Sequence, residues 1–137
     1  FTCGAMDLLH AGHILMLKEA RGQCDRLIVG LQTDPSIDRP DKNKPIQSLE
    51  ERRIQLEACK YVDEIQEYDT EADLRLMLEE YKGFHGDNFT RIIGEDWKGK
   101  KFTGHDLGIR TIYNSRKHSY SSSELRQRII ASEICKK

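Results

Sequence analysis

Two histidines, His10 and His13, lie three residues apart where a helical pattern begins. This spacing places both imidazoles on one helix face. The first turn of a helix presents unpaired N–H groups and a positive dipole end, so it suits a phosphate group. Gly12 lies between the two and would let a ligand approach the backbone closely. The pair predicts a site that stabilises charge on a transferring phosphoryl group.

Two other interpretations of this pair stay open at the level of sequence. The histidines could occupy a helix start without binding any ligand. A zinc site is disfavoured because the H-x-x-H spacing has no further ligands at suitable positions in the chain.

A polar loop of about fifteen residues, 33–47, carries two lysines, Lys42 and Lys44, and all three prolines of the chain. A connection of this length is often functional. Its two ammonium groups could neutralise a triphosphate or a phosphorylated acceptor, and Asp34 could hold an acceptor group or a metal. The alternative is a solvated, charged loop without a ligand.

Two more polar stretches follow predicted strands. In the first, Asp96 could accept from a ribose hydroxyl or a base amino group, and Trp97 could cover a nucleoside. In the second, Arg116 leads into a serine-rich helix start at Ser121 and Ser122, which predicts a second anion site. A simple capping sequence would also explain the serines.

Strands and helices alternate in the pattern that must position these residues. Helices are predicted from His10 to Gly22, Ser48 to Lys60, Thr70 to the turn at Gly83, and Ser121 to Ile130; strands are predicted over 1–4, 24–31, 61–68, 91–94 and 109–113. Such alternation predicts an α/β fold with a parallel sheet. Because ligands bind beyond the carboxyl ends of parallel strands, the four polar clusters should converge at one edge.

Composition limits the class of protein. The chain of 137 residues fits a single domain, 1–137, and it starts inside what looks like a truncated N-terminal strand. A net charge of −1 argues against a general nucleic-acid binder. Four scattered cysteines favour reduced thiols in a cytoplasmic protein, and no stretch approaches a membrane span.

The motifs together resemble the cytidylyltransferase family of the nucleotidyltransferase superfamily, most closely the glycerol-3-phosphate cytidylyltransferase type. The first motif, G-[TS]-F-D-x-x-H-x-G-H, is matched by residues 4–13, and the late motif, R-T-x-G-I-S-T-T, lies over 116–123. The G-[DE]-D-[WY] segment is matched by 94–97, and the Arg-Tyr-Val-Asp-Glu segment by 60–64. The resemblance covers nearly the whole chain.

This resemblance implies a Rossmann-like α/β fold with a five-stranded parallel sheet and helices on both faces. It implies transfer of CMP from CTP to a small phosphorylated alcohol, with glycerol 3-phosphate as the leading acceptor, a divalent cation such as Mg²⁺, and a homodimer. The catalytic residues it implies are His10, His13, Lys42, Lys44 and Arg116. The nucleotide-binding residues are Gly4, Ala5, Met6, Asp7, Gly12, Gly94, Asp96, Trp97, Ser121 and Ser122. The acceptor-binding residues are Asp34, Lys60 and Asp63.

Two substitutions relative to the family motifs leave alternatives open. Ala5 stands where the family has Thr or Ser, and Lys60 replaces an Arg that could bind an acceptor phosphate with two hydrogen bonds. One alternative, an adenylyltransferase that uses ATP on the same scaffold, stays open because nucleobase choice depends on the shape of the pocket, which the motifs do not define. The other is a nucleotide-binding subunit without turnover.

Overall fold

The computed structural model describes residues 1–136, which form five strands and four helices. The strands are β1 (Thr2–Gly4), β2 (Ile28–Gln32), β3 (Glu64–Tyr68), β4 (Thr90–Gly94) and β5 (Arg110–Asn114). The helices are α1 (Ala11–Arg21), α2 (Leu49–Glu57), α3 (Glu71–His85) and α4 (Ser122–Cys135). Short 3-10 turns follow α3 and β4. No helix within residues 1–136 combines the length and apolarity needed to cross a membrane.

All strand pairs are parallel. One sheet has the order β1-β2-β3 and the other pairs β4 with β5. Two backbone bonds at the start of the chain connect the sheets: Ile92 N–H donates to Phe1 O at 2.7 Å, and Phe1 N–H donates to Thr90 O at 2.8 Å. The strand order is therefore β3-β2-β1-β4-β5. The predicted parallel α/β fold is confirmed. The order in which successive strands are added to the sheet changes sides between β1 and β4, and such folds bind ligands at this switch point.

Hydrophobic residues fill both faces of the sheet. On one face a cluster centred on Leu17 and Leu56 packs α1 and α2 against β2. On the other face a cluster that includes Leu74 and Leu78 of α3 packs with Phe1 and Phe89. Helices on both faces of a parallel sheet explain why β2 is buried along its whole length.

Element boundaries differ from the predicted ones at several places. The strand predicted over 61–68 begins only at Glu64, the helix predicted to Lys60 ends at Glu57, and the helix predicted to Ile130 continues to Cys135. The turn predicted at Gly83 is wrong, because α3 continues through Gly83 to His85 and ends at Gly86, whose φ of 61° only glycine adopts without strain. The predicted strand 24–31 is shorter at its start, because a turn occupies the residues before Ile28. The helix start predicted at Ser48 is confirmed, because Ser48 and Glu51 form the reciprocal bonds of a capping box before α2.

Candidate active site

The rings of the two histidines in the first motif accept hydrogen bonds from backbone N–H groups at the start of α1. His10 is the N-cap, and its ring Nδ1 accepts from the Gly12 N–H at 3.0 Å. His13 Nδ1 accepts from the His10 N–H at 3.2 Å. Since each Nδ1 is an acceptor, the proton of each neutral ring resides on Nε2. Both rings can therefore donate from Nε2 to a ligand.

The rings lie close together, with centroids 4.0 Å apart. Burial and the neighbouring His10 lower the pKa of His13 to about 4, although Asp7 opposes this shift. Burial, His118 and Arg116 lower the pKa of His10 as well. Both imidazoles are thus neutral donors at neutral pH.

We expect the His13 ring to stay neutral down to about pH 4. An ordinary histidine, in contrast, becomes protonated near pH 6.5. The folded protein therefore binds fewer protons here than the unfolded chain between these values. The stability that His13 contributes is fully present above about pH 6.5 and is lost as the pH falls toward 4. Imidazole NMR titration tests the pKa of His13, with the value of about 6.5 for an unperturbed histidine as the reference. A His13 midpoint near 6.5 would contradict the expectation.

The start of α4 meets the start of α1 at this point. Ser122 Oγ lies 3.1 Å from His10 Nε2, and Ser121 Oγ caps α4 by accepting from the Glu124 N–H at 3.1 Å. Arg116 is close enough to influence the pKa of His10. We call the surface formed by His10, His13, Arg116 and the α4 start at Ser121 and Ser122 the anion cradle. It combines two helix N-termini, neutral imidazole donors and a guanidinium, all of which favour phosphate.

Gly12 is required by close packing inside the anion cradle. A Cβ at this position would lie 2.8 Å from His10 Cε1 and 3.0 Å from His118 Cε1. Both neighbours are ring atoms, and the His10 ring is held in place by its bond to the Gly12 N–H. The absence of a side chain therefore lets three imidazoles gather around one turn.

Replacing Gly12 by alanine is expected to push the His10 ring away from the α4 start. A misplacement of about 1 Å can cost on the order of 100-fold in rate, so we expect kcat to fall by about 10- to 100-fold. The matched control is Gly83→Ala on α3, where a Cβ meets nothing within 4 Å. Pyrophosphate release measures the effect, and equal rates for the two variants would contradict this role of Gly12.

Asp7 connects two segments, the end of the 33–47 loop and α4, to the turn between β1 and α1. Its carboxylate accepts from the N–H groups of Ile46 and Gln47, both at 2.9 Å. Arg126 of α4 forms an ion pair with it at 3.1 Å. The structure thus uses Asp7, predicted to bind nucleotide, to hold the end of the 33–47 loop and α4 beside the anion cradle.

The turn itself has an unusual backbone. Met6 and Leu8 adopt φ values of 53° and 51°, which costs on the order of 1–3 kcal/mol for each non-glycine residue. The Met6 side chain is buried in the hydrophobic core, so it does not join the predicted nucleotide-binding side chains. The Ala5 carbonyl accepts from Arg52 Nη1 at 3.0 Å.

Arg52 was not predicted as a site residue, yet it fixes the loops around the site. It is only 2% exposed and donates to backbone carbonyls alone. The acceptors lie at the ends of β1 and β2 and at the end of the 33–47 loop: Ala5, Gln32, Thr33, Gln47 and Ser48. Arg52 therefore holds the turn after β1, the end of β2 and the end of the 33–47 loop together next to the anion cradle.

The 33–47 loop contains no helix or strand, as predicted. Lys42 and Lys44 are exposed on it, and neither forms an ion pair with another described residue. Asp34 accepts from Ser36 Oγ at 2.6 Å and from the Ser36 N–H at 3.0 Å. These two bonds, with smaller contributions from Lys44 and Arg52, lower the pKa of Asp34. Asp34 thus has a local structural role, while both lysines are available to a ligand.

A cavity of about 760 Å³ lies beyond the ends of β1 and β4. Gly4, Gly94 and Trp97 line it, which places these predicted residues at the point where the strand order reverses. A Cβ on Gly94 would lie 2.6 Å from Asp96 Oδ1, so glycine lets the Asp96 carboxylate fold back over the strand end. Met16, one turn beyond His13, also lines the cavity and connects it to α1.

Lys60 and Asp63, predicted to bind the acceptor, lie at the opposite edge of the sheet. Asp63 precedes β3; its Oδ2 accepts from the Leu27 N–H at 2.7 Å and pairs with Arg21 Nε at 2.9 Å. Lys60 is exposed, and its Nζ lies 5.3 Å from the centroid of its neighbour's ring, Tyr61. Both precede the amino end of a strand, whereas the site occupies the carboxyl ends. This chain alone does not bring them to the anion cradle.

The described residues contain no group of three His, Cys, Asp or Glu side chains arranged to hold a metal ion. Asp7 lies in the turn between β1 and α1, and Asp34 lies in the 33–47 loop. Both carboxylates already accept from backbone or side-chain donors. Mg²⁺ often binds through substrate phosphates with few protein ligands. These residues fit a cation that arrives bound to a triphosphate rather than one held by a protein cage.

Sequence reasoning missed three basic residues that position the site or line its cavity: Arg52, Arg91 and Arg126. Arg52 and Leu56 share one face of α2 at a spacing of four, so an arginine on the apolar face was a usable signal. Arg91 sits inside an apolar strand, which was a second signal. Arg126 gave no signal, because α4 has no buried residues and its ion pair with Asp7 spans 119 positions.

Comparison with known proteins defines the class. A family model described as Cytidylyltransferase-like matches residues 1–128. The chain belongs to this family, and its fold is the nucleotidyltransferase fold that the sequence motifs predicted.

Individual relatives and a solved structure agree with this family. The chain is 38% identical over 108 residues to the bifunctional protein HldE of Rhodopseudomonas palustris (strain TIE-1), which covers 78% of the chain and 21% of that protein. It is 34% identical over 127 residues to the "Probable ethanolamine-phosphate cytidylyltransferase" of Encephalitozoon cuniculi, covering 90% of the chain and 34% of that protein. The crystal structure of the lipopolysaccharide core biosynthesis protein from Thermoplasma volcanium matches with a TM-score of 0.62 and 29% identity, covering 88% of this chain and 95% of that one. The chain thus spans a fifth to a third of these two curated relatives.

Proposed function

We propose that this domain transfers a nucleotidyl group, CMP from CTP, to a small phosphorylated alcohol, with glycerol 3-phosphate as the first candidate. One observation carries the proposal: the Nδ1 atoms of His10 and His13 accept from backbone N–H groups, which places an Nε2–H donor of each ring at the anion cradle. The His10 donor lies 3.1 Å from Ser122 Oγ and exchanges this partner for a phosphate oxygen. Membership of the cytidylyltransferase-like family supports the same reaction class.

In the proposed reaction, a phosphate oxygen of the acceptor attacks the α-phosphorus of CTP. A new P–O bond forms, the bond from the α-phosphorus to the bridging oxygen breaks, and pyrophosphate leaves with that oxygen. The His10 and His13 Nε2–H groups donate to oxygens that gain charge in the transition state. Such charge-directed donors act without a covalent intermediate, so positioning and electrostatics supply the catalysis.

The other predicted residues take supporting roles in this proposal. Arg116, Ser121 and Ser122 bind the leaving phosphates, and Lys42 and Lys44 close over the triphosphate from their exposed loop. Trp97 and Asp96 lie beside the nucleoside. The divalent cation enters as part of the nucleotide substrate. A homodimer stays a prediction of the family resemblance.

The test is pyrophosphate release with Mg²⁺ and either CTP or ATP, each against glycerol 3-phosphate, phosphoethanolamine and sugar phosphates. We expect turnover with CTP and at least one acceptor. Turnover with ATP alone would replace cytidylyl by adenylyl transfer. CTP binding in a calorimeter without turnover on any acceptor would favour a nucleotide-binding subunit.

A further inference from the structure

A buried arginine, Arg91 of β4, lines the cavity and lies outside every motif considered above. It is 6% exposed, and its Nε is buried without a hydrogen-bond partner. Its Nη1 donates to Thr103 O at 2.6 Å, and its Nη2 lies 3.7 Å from Cys3 Sγ. None of the ion pairs formed within residues 1–136 includes it.

Aromatic rings hold the guanidinium without neutralising it. Arg91 Cζ lies 5.9 Å from the Phe1 ring centroid and 5.5 Å from that of Phe102. Cation–π contacts of this kind stabilise a cation's position. A buried charge normally also has an ionic partner, because an unpaired one is costly to desolvate. The cavity that Arg91 lines is the place where a partner can come from.

The other charged residues around the cavity are mostly paired already. Arg39 Nε lies 3.1 Å from Glu71 Oε1, and Arg75 Nη1 lies 2.7 Å from Asp106 Oδ1. Lys101 also lines the cavity and forms no ion pair within the part of the chain described. The uncompensated charge at the cavity wall is therefore positive, from Arg91 and Lys101.

We propose that the part of this cavity around Arg91 and Cys3 is the acceptor subsite, with the nucleoside at the part that Trp97 lines. The Arg91 guanidinium binds an anionic group of the acceptor, which makes the subsite reject acceptors with a cationic end. The inference rests on the proposed function, since it names the class of acceptor that the site takes. The position of Arg91 supports it: the guanidinium reaches Cys3, one residue before the end of β1 where the first motif begins. An acceptor held there lies next to the turn that carries the histidines.

The experiment measures KM for glycerol 3-phosphate and for nucleotide in the wild type, Arg91→Gln, Arg91→Lys and the matched control Arg110→Gln, an exposed arginine on β5. A lost charged hydrogen bond predicts a rise of about 10- to 100-fold in the acceptor KM for Arg91→Gln, with partial rescue in Arg91→Lys. The nucleotide KM is expected to stay within about twofold of wild type. Equal changes in both KM values, or no change in either, would overturn the inference.

Acceptor choice supplies a second readout that a purely structural arginine would not move. The wild type is expected to prefer glycerol 3-phosphate over phosphoethanolamine, whose ammonium group the cavity repels, and Arg91→Gln is expected to narrow this preference about tenfold or more. A preference that stays the same in Arg91→Gln would contradict the assignment.

Cysteine alkylation tests the site in the unaltered protein, which guards against a variant that fails to fold. Cys3 lines the cavity, whereas Cys24 and Cys135 do not. Glycerol 3-phosphate is expected to slow alkylation of Cys3 alone, as read by mass spectrometry. Absence of protection at saturating glycerol 3-phosphate would overturn the subsite.

Failure of the proposed function can be told apart from failure of this inference. If no acceptor turns over, only the proposed function fails. Calorimetric binding of glycerol 3-phosphate to the wild type and to Arg91→Gln then tests whether Arg91 binds the acceptor.

Discussion

Replacing His13 by alanine is expected to lower kcat for pyrophosphate release by about 100- to 1000-fold. This is the range found when one donor to a developing charge is removed. The His13 Nε2–H is the donor in question, because its Nδ1 already accepts from the His10 N–H. We expect the KM for nucleotide to change much less, since the donation strengthens in the transition state.

Two conservative variants separate the donor from the structural role of His13. Asparagine can place an oxygen near the position of Nδ1 and accept from His10, but it has no donor at the position of Nε2. Glutamine can place an amide N–H near Nε2. His13→Asn should therefore be as slow as His13→Ala, and His13→Gln should recover part of the rate.

The control for these variants is His85→Ala, an exposed histidine at the end of α3. It should keep its rate within about twofold. Thermal unfolding confirms that each variant folds. Near-normal turnover in His13→Ala would remove His13 from the mechanism, and recovery in His13→Asn would reduce it to orienting His10.

The sequence predicted the parts of this site that depend on local spacing. His10, His13 and Gly12 act within one helical turn, so a motif is sufficient to identify them. The parallel direction of the strands also follows from the alternation of strands and helices with right-handed crossovers, which is why the carboxyl ends were expected to converge. The order of the strands was not predicted from the sequence. Neither argument shows which ring nitrogen carries the proton, because this depends on the backbone donors around each Nδ1.

Long-range pairing explains most of what the sequence did not predict. The motif predicts that Asp7 binds nucleotide, but its partners in the structure are the end of the loop at 46–47 and Arg126 on α4. The family motif predicts that Asp63 binds the acceptor substrate. In the structure it bonds instead to the Leu27 N–H and to Arg21, at the end of the sheet opposite to the site. Such partners lie many positions away and become neighbours only once the sheet has assembled.

Arg52 gives the second large expected effect, on stability rather than on rate. Its guanidinium donates to five carbonyls that end β1, end β2 and precede α2. Arg52→Met fills a similar volume but donates no hydrogen bond, so buried carbonyls lose their donors. Each buried carbonyl left unsatisfied costs about 1–3 kcal/mol, and the five carbonyls cannot all be reached by water. We expect the free energy of unfolding to fall by about 3–5 kcal/mol.

The neighbouring residue supplies a matched control for Arg52. Arg53 forms exposed ion pairs with Glu57 at 3.0 Å and Glu67 at 2.9 Å, and exposed pairs contribute about 0–1 kcal/mol. Urea unfolding of Arg53→Met should therefore show a loss of less than about 1 kcal/mol. Amide hydrogen exchange should accelerate across the 33–47 loop in Arg52→Met only.

Arg52→Lys keeps the charge but cannot span the five carbonyls, so its stability should lie between wild type and Arg52→Met. This variant keeps the test decisive if Arg52→Met does not fold. If Arg52→Met and Arg53→Met lose the same small amount of stability, the carbonyls do not depend on the guanidinium. The position of the 33–47 loop beside the anion cradle would then have to come from Asp7, whose bonds to Ile46 and Gln47 are the other connection at that end of the loop.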